Sequence, residues 1–209
     1  MFDAGVLTFQ EFMMHEPVPL AAIQKAVLEF LRDRNDVVIF GAQAVNAYVD
    51  EPRMTQDIDL LSTRAEACAE ELRVLLSQQF HIAARVRRIG EGRGYRVFQV
   101  RKAGNRHLVD IRLVEALPAT RRIAGVLVMA PVELIVSKVI AYHQRRGRPK
   151  SGTDWRDLIL LLLTFPELKR DPGPVSGRLR AMKADPAVFA LWQELVAYEI
   201  PQADEDDEF

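Results

Sequence analysis

One cysteine, Cys68, stands in the 209 residues, so no internal disulfide can form, and its setting in RAEACAEEL reads as the inside of a helix. Long apolar runs are lacking as well. The longest, residues 158–163 followed by Thr164 and Phe165, falls well short of the roughly 18 residues that span a bilayer. The opening MFDAGVLTFQEF carries Asp3 where a secretory leader carries basic residues and has no cleavage signal, so a cytoplasmic protein without a membrane partner is expected. His15, His81, His107 and His143 share no metal-ligand spacing. Neither sign of charge dominates: 28 Lys and Arg oppose 29 Asp and Glu, and the net −1 taken alone argues against a polyanionic partner. What is present, 49% hydrophobic and 27% charged residues, excludes a largely disordered or fibrous chain and leaves room for one domain or two small ones.

Apolar residues at Leu20, Ile23, Val27, Leu28 and Leu31 follow the three-to-four spacing of an amphipathic helix. A short β-branched run, residues 37–40, stops at Gly41 and gives way to helical character, which makes a strand-turn-helix unit. A second strand is expected to begin near Asp57, and a helix over about residues 64–79. IAARVRRI, YRVFQV and HLVDIRLV, separated by GEGRG and KAGNR, read as hairpin-connected strands, and GVLVM is a further apolar run ending before Pro131. Beyond Pro131 only helical segments follow. The chain is therefore expected to be α/β (α+β), with a mixed sheet flanked by helices over residues 1–130, a C-terminal helical part over 131–202 and an acidic tail over 203–209.

The stretch GAQAVNAYVDEPRMTQDIDL carries the chemistry. In a strand, the period of two sets Asp57 and Asp59 on one face with Ile58 toward the core. Two acids on one face repel, so the pair is costly unless a cation lies between them. Oxygen ligands of this kind suit Mg²⁺, which takes one or two protein carboxylates and completes its shell with water and phosphate. Asp110 interrupts the apolar HLVDIRLV, opposite in facing to Val109 and Ile111, and supplies a third acid; three carboxylates on adjacent strands could hold two ions roughly 4 Å apart. The turn at Gly41 leaves backbone N–H groups to meet phosphate, or merely makes a tight bend.

GAQAVNAY followed by PRMTQDIDLL resembles the signature of the nucleotidyltransferase superfamily, with its polymerase-β-like fold. More narrowly, KVIAYHQRRGRPKSGTDWRDL resembles the later motifs of the AbiEii-type toxin nucleotidyltransferases of abortive-infection and toxin–antitoxin systems. The resemblance spans residues 37–163. It implies two Mg²⁺ ions, an NTP as substrate, and Gly41 and Ala42 at the nucleotide phosphates. By the same resemblance Asp57, Asp59 and Asp110 are metal ligands and catalytic acids, Lys138 meets the triphosphate or base, and Asp154 is the acid of the last motif. Ala42 departs from the usual Gly-Ser or Gly-Gly and removes a hydroxyl, which is expected to weaken rather than abolish nucleotide binding.

Other residues keep two readings. Arg53, two before Thr55, either orders the carboxylate strand or touches phosphate, and both are nucleotide-binding candidates. Lys138 either turns inward to a partner or points to solvent. Asp154 and Asp157 fall where acids favour a helix start, so capping competes with catalysis. Arg85, Arg87, Arg88, Arg93, Arg96, Arg101, Lys102 and Arg106 give the hairpin region a basic face, either for phosphate or as a solvated edge. A second basic cluster, Arg145, Arg146, Arg148 and Lys150, is the candidate surface for an RNA acceptor. The five acids Asp204, Glu205, Asp206, Asp207 and Glu208 contribute −5 to the total of −1, so the rest of the chain carries +4, and the tail could shield a basic site.

The expected function is transfer of an NMP from an NTP to an acceptor hydroxyl on RNA such as tRNA, on protein or on a small molecule, with a cognate antitoxin as possible partner. The alternative is a catalytically silent fold of the same kind that binds nucleotide, RNA or a partner protein.

Overall fold

Four consecutive β-branched and aromatic residues, Val37, Val38, Ile39 and Phe40, make the strand around which the α/β part is built. In the computed structural model, which describes residues 18–201, this strand β1 (Val37–Phe40) is buried along its whole length, as a strand covered on both faces requires. Around it a seven-stranded mixed sheet forms with β2 (Ile58–Ser62), β3 (Ala84–Ile89), β4 (Gly94–Gln99), β5 (Arg106–Leu113), β6 (Thr120–Ile123) and β7 (Val126–Met129), in the order β3-β4-β5-β2-β1-β7-β6. β1 runs parallel to β7 and β2 parallel to β5; every other neighbouring pair is antiparallel. The strand β6 was not expected. Its centre, Arg121 and Arg122, is exposed between half-buried Thr120 and Ile123, so the residues show no alternation to read.

Helix α1 (Leu20–Leu31) buries Ile23, Val27 and Leu31 of the predicted stripe together with Ala26, while Leu20 and Leu28 are half-buried. After β1 comes the short α2 (Gly41–Asn46), and α3 (Ala65–Phe80) buries Ala65, Cys68, Ala69, Leu72 and Leu76. It lies on β2, β3, β4 and β5, and α1 packs on α3 and β7. One face of the sheet is thereby committed to core. Burial pushes the Cys68 thiol up to about 12, so this cysteine is an apolar filler.

The chain divides into two compact units. The sheet unit runs up to Ala47 and from Glu51 to Ala130; the helical unit holds Tyr48–Asp50 and the chain from Pro131 onward. In the helical unit α4 (Pro131–Arg145) packs against α5 (Ser151–Thr164), α6 (Pro174–Ala181) and α7 (Pro186–Ala197). Proline opens α4, α6 and α7, where its missing N–H costs nothing. Trp192, Leu158, Leu134 and Ile135 are fully buried in this unit. No helix among the described residues is long and apolar enough to cross a membrane. The acidic tail, His15 and the N-terminal MFDAGVLTFQEF lie outside the described residues.

Candidate active site

The sheet unit builds its site at the end of β1. Phe40 pairs with Asp59 on β2, and the chain then turns at Gly41, whose φ of +69° only glycine adopts without strain. A side chain at Gly41 would in addition run into Asp59, meeting its Oδ2 and standing 3.1 Å from its Cβ and Cγ. Glycine is therefore required at position 41 on two counts, backbone angle and space. Ala42, half-buried, follows in the first turn of α2.

The same short helix anchors the segment that leads to the carboxylates. Asn46 brackets Arg53, donating to its carbonyl at 2.7 Å and accepting from its N–H at 3.0 Å. Gln43 donates to the Thr55 hydroxyl at 2.8 Å, and Gln24 of α1 donates to the Thr55 carbonyl at 2.9 Å. Asn46, Gln43 and Gln24 were not singled out from sequence. The backbone of Arg53 and Thr55 is thus fixed immediately before Asp57, which precedes β2.

Within β2, Ile58 and Leu60 are fully buried while Asp59 is half-buried on the other face. On the parallel neighbour β5, Val109 and Ile111 are fully buried and Asp110 faces with Asp59, its register partner. Neighbouring strands lie roughly 4.8 Å apart, so these two carboxylates are side by side. The alternation predicted this facing. It did not predict the partner of Asp110: Arg96 on β4, in register with it, forms a two-pronged ion pair, Nε to Oδ1 at 2.7 Å and Nη2 to Oδ2 at 2.6 Å. The hydrogen bond to Asp110 holds the Arg96 guanidinium above its ordinary value, outweighing desolvation, and the charges of Asp57 and Asp59 add to it. Arg96 had been read only as one of a basic row.

Among the described residues no three His, Cys, Asp or Glu side chains converge as a metal cage. Mg²⁺ does not need one, since it commonly keeps several waters and takes one or two carboxylates. Asp57 and Asp59, hard oxygen donors next to a Gly turn, fit such an ion.

On the same face as Asp59 and Asp110 lie Arg87, the register partner of Arg96, and exposed Arg112, which stacks over Phe40 at 4.8 Å. Arg85 pairs in register with Phe98 on β4 and continues this row to the edge. Arg88 points the other way, to Glu66 and Tyr95.

The helical unit assembles a separate cluster. Lys138 is 6% exposed and turns inward, its Nζ 2.6 Å from Asp157 and 3.6 Å from Asp154. Asp154 is 2% exposed and also accepts from Arg145 at 2.8 Å. Helix α5 begins at Ser151, earlier than Asp154, and its cap position Lys150 makes no side-chain cap bond. Asp154 lies in the first turn of α5, where an acid meets the helix dipole, and both Asp154 and Asp157 are partners of buried or half-buried cations. Arg146, Arg148 and Lys150 are exposed in the turn between α4 and α5.

The seven-stranded mixed sheet with its helices is a nucleotidyltransferase-like fold, and solved structures share it. The chain resembles the Megavirus polyadenylate synthase over 78% of its own length and 35% of the viral chain, at 16% identity and a TM-score of 0.61. It thus spans about a third of that enzyme. It also resembles JHP933 from Helicobacter pylori, at 15% identity and a TM-score of 0.51 over 91% of this chain and 90% of that one. A candidate nucleotidyltransferase from H. pylori matches at 14% identity and a TM-score of 0.53 over 91% of each chain. Among curated proteins none is matched by the sequence. Residues 25–172 match the family described as nucleotidyl transferase AbiEii toxin, type IV toxin–antitoxin system, and the chain belongs to that family.

Proposed function

We propose that the protein transfers a nucleoside monophosphate from an NTP to an acceptor hydroxyl. The observation that carries this reading is the register of Asp59 with Asp110 on parallel neighbours, with Asp57 two residues before Asp59 and Gly41 closed against it. The acceptor oxygen attacks the α-phosphorus, the bond from that phosphorus to the bridging oxygen breaks, and pyrophosphate leaves. The hydroxyl proton passes to a carboxylate of this face. Asp57 and Asp59, with Asp110 as the third acid, are the residues to hold Mg²⁺, which when bound neutralises charge on the phosphates. The Gly41–Ala42 turn is the candidate phosphate contact, made by backbone N–H groups in the absence of a hydroxyl at position 42. Arg53 and Thr55, whose backbone is pinned, are candidates for orienting the nucleotide.

A polyanionic acceptor such as RNA is supported by Arg87 and Arg112 on the carboxylate face and by exposed Arg146, Arg148 and Lys150. A cognate antitoxin is the partner that family membership implies. Incubation with labelled NTPs, Mg²⁺ and total RNA is expected to label RNA; label on protein or small molecules instead would move the acceptor, and no transfer to any of them would support the silent binding fold. Asp57→Ala and Asp59→Ala are each expected to abolish transfer in a folded protein, and retained activity in both would refute the metal reading.

A further inference from the structure

The third acid of the carboxylate face is not equivalent to the other two. Both oxygens of Asp110 are engaged by the Arg96 fork, and the pair is largely out of solvent, with side-chain exposures of 22% for Arg96 and 15% for Asp110. Paired bonds of this geometry are among the strong charge-assisted ones and fix direction as well as distance. The pair is also set by the sheet. Arg96 and Asp110 are register partners on antiparallel strands, and Arg87 stands in register on the other side of Arg96, so a like charge disfavours its swinging toward the edge. Toward the centre it meets the fields of Asp57 and Asp59.

We infer that Arg96 acts as a resident cation that keeps Asp110 out of the metal set of the nucleotide-free protein, so that Asp57 and Asp59 alone take a divalent ion until Arg96 releases its partner. Arg96 is then a positioning residue: it decides when the third acid becomes a ligand. The inference rests on the metal reading of the proposed function.

Mn²⁺ titration of the full chain without nucleotide, read by calorimetry or by the signal of free Mn²⁺, separates the two ideas. In the wild type, Asp59→Asn should weaken Mn²⁺ binding by at least about tenfold, whereas Asp110→Asn should change it by less than about threefold. Arg96→Gln should tighten binding about tenfold or add a second ion, and adding Asp110→Asn to it should return the isotherm to the wild-type one. Arg96→Lys, which keeps charge but loses the fork, should fall between, and it serves if Arg96→Gln fails to fold. Equal losses from Asp110→Asn and Asp59→Asn would overturn the inference while leaving the metal reading intact. An Arg96→Gln isotherm identical to the wild-type one would also overturn it. Mn²⁺ binding indifferent to both Asp57→Asn and Asp59→Asn, or absent in every variant, would overturn the metal reading and the inference together.

Discussion

Gly41 is the residue against which the Asp59 carboxylate rests: a β-carbon at position 41 would overlap Asp59 Oδ2. Gly41→Ala therefore incurs two penalties, a left-handed backbone angle of +69° that costs about 1–2 kcal/mol and a displacement of the carboxylate. A shift of the reacting group by an ångström can cost roughly a hundredfold in rate, which is the loss of transfer expected. Gly90→Ala is the control, since its φ of +59° is similar and nothing lies within 4 Å of the added carbon. Thermal melts should show Gly41→Ala destabilised by more than Gly90→Ala, which bears the backbone penalty alone, and the transfer assay should show the roughly hundredfold loss only in Gly41→Ala. Equal activity in the two would separate Asp59 from the turn.

Asp59 shares a face with Asp110, its register partner, and Arg96, Arg87 and Arg112 lie on that face as well. Asp59→Asn relieves repulsion from Asp110 and also loses attraction to these guanidinium groups, so its stability should stay close to that of the wild type while transfer falls by at least about a hundredfold. Melting temperature measured beside the transfer rate checks this trade. A clear drop in melting temperature would mean that Asp59 is held by stabilising contacts that outweigh its repulsion.

In the helical unit, Lys138 and Asp157 are a buried ion pair at 2.6 Å, with Asp157 wholly inaccessible. Breaking such a pair strands a charge, so Asp157→Ala should cost about 3–5 kcal/mol, whereas the joint change Lys138→Met with Asp157→Leu should cost less, retaining the penalty of buried Asp154 left with Arg145. Denaturant melts of the two variants decide it.

What could be read from the chain was local. The turn at Gly41 and the shared facing of Asp57, Asp59 and Asp110 follow from a period of two and from glycine's conformational range, which involve only neighbouring residues. The partners are non-local. Arg96 meets Asp110 because β4 and β5 pair in a register that shifts between Val97 and Phe98, and that shift leaves no mark in composition. Thr55 is held from 12 and 31 residues away by Gln43 and Gln24, amides with no motif of their own. Lys138 and Asp157, 19 residues apart on two helices, meet through the packing of α4 on α5, and the cost of an unpartnered inward lysine is the sequence signal that a partner was needed. The edge strand β6 escaped notice because its two central arginines suit an edge but erase alternation.

The acid side of the stability curve is set in part by Asp36, just before β1. Its carboxylate accepts from Arg34 Nε at 2.9 Å and Nη2 at 2.7 Å, and Arg34 also reaches Glu71 on α3 at 2.6 Å. The Arg34 hydrogen bonds hold the Asp36 carboxyl below its ordinary value of 3.8, against a smaller opposing effect of burial. A carboxylate depressed on folding adds stability above its unfolded value and loses it as pH falls through the folded one. Asp36→Asn should thus be less stable than the wild type by about 1 kcal/mol at pH 7, the pair being partly exposed. That difference should persist down to about pH 5 and close progressively below pH 4, where protonation removes the same charge from the wild type. Melts of both proteins from pH 7 to pH 3 test this, and a gap that stayed constant to pH 3 would show that the contribution of Asp36 is not carried by its charge.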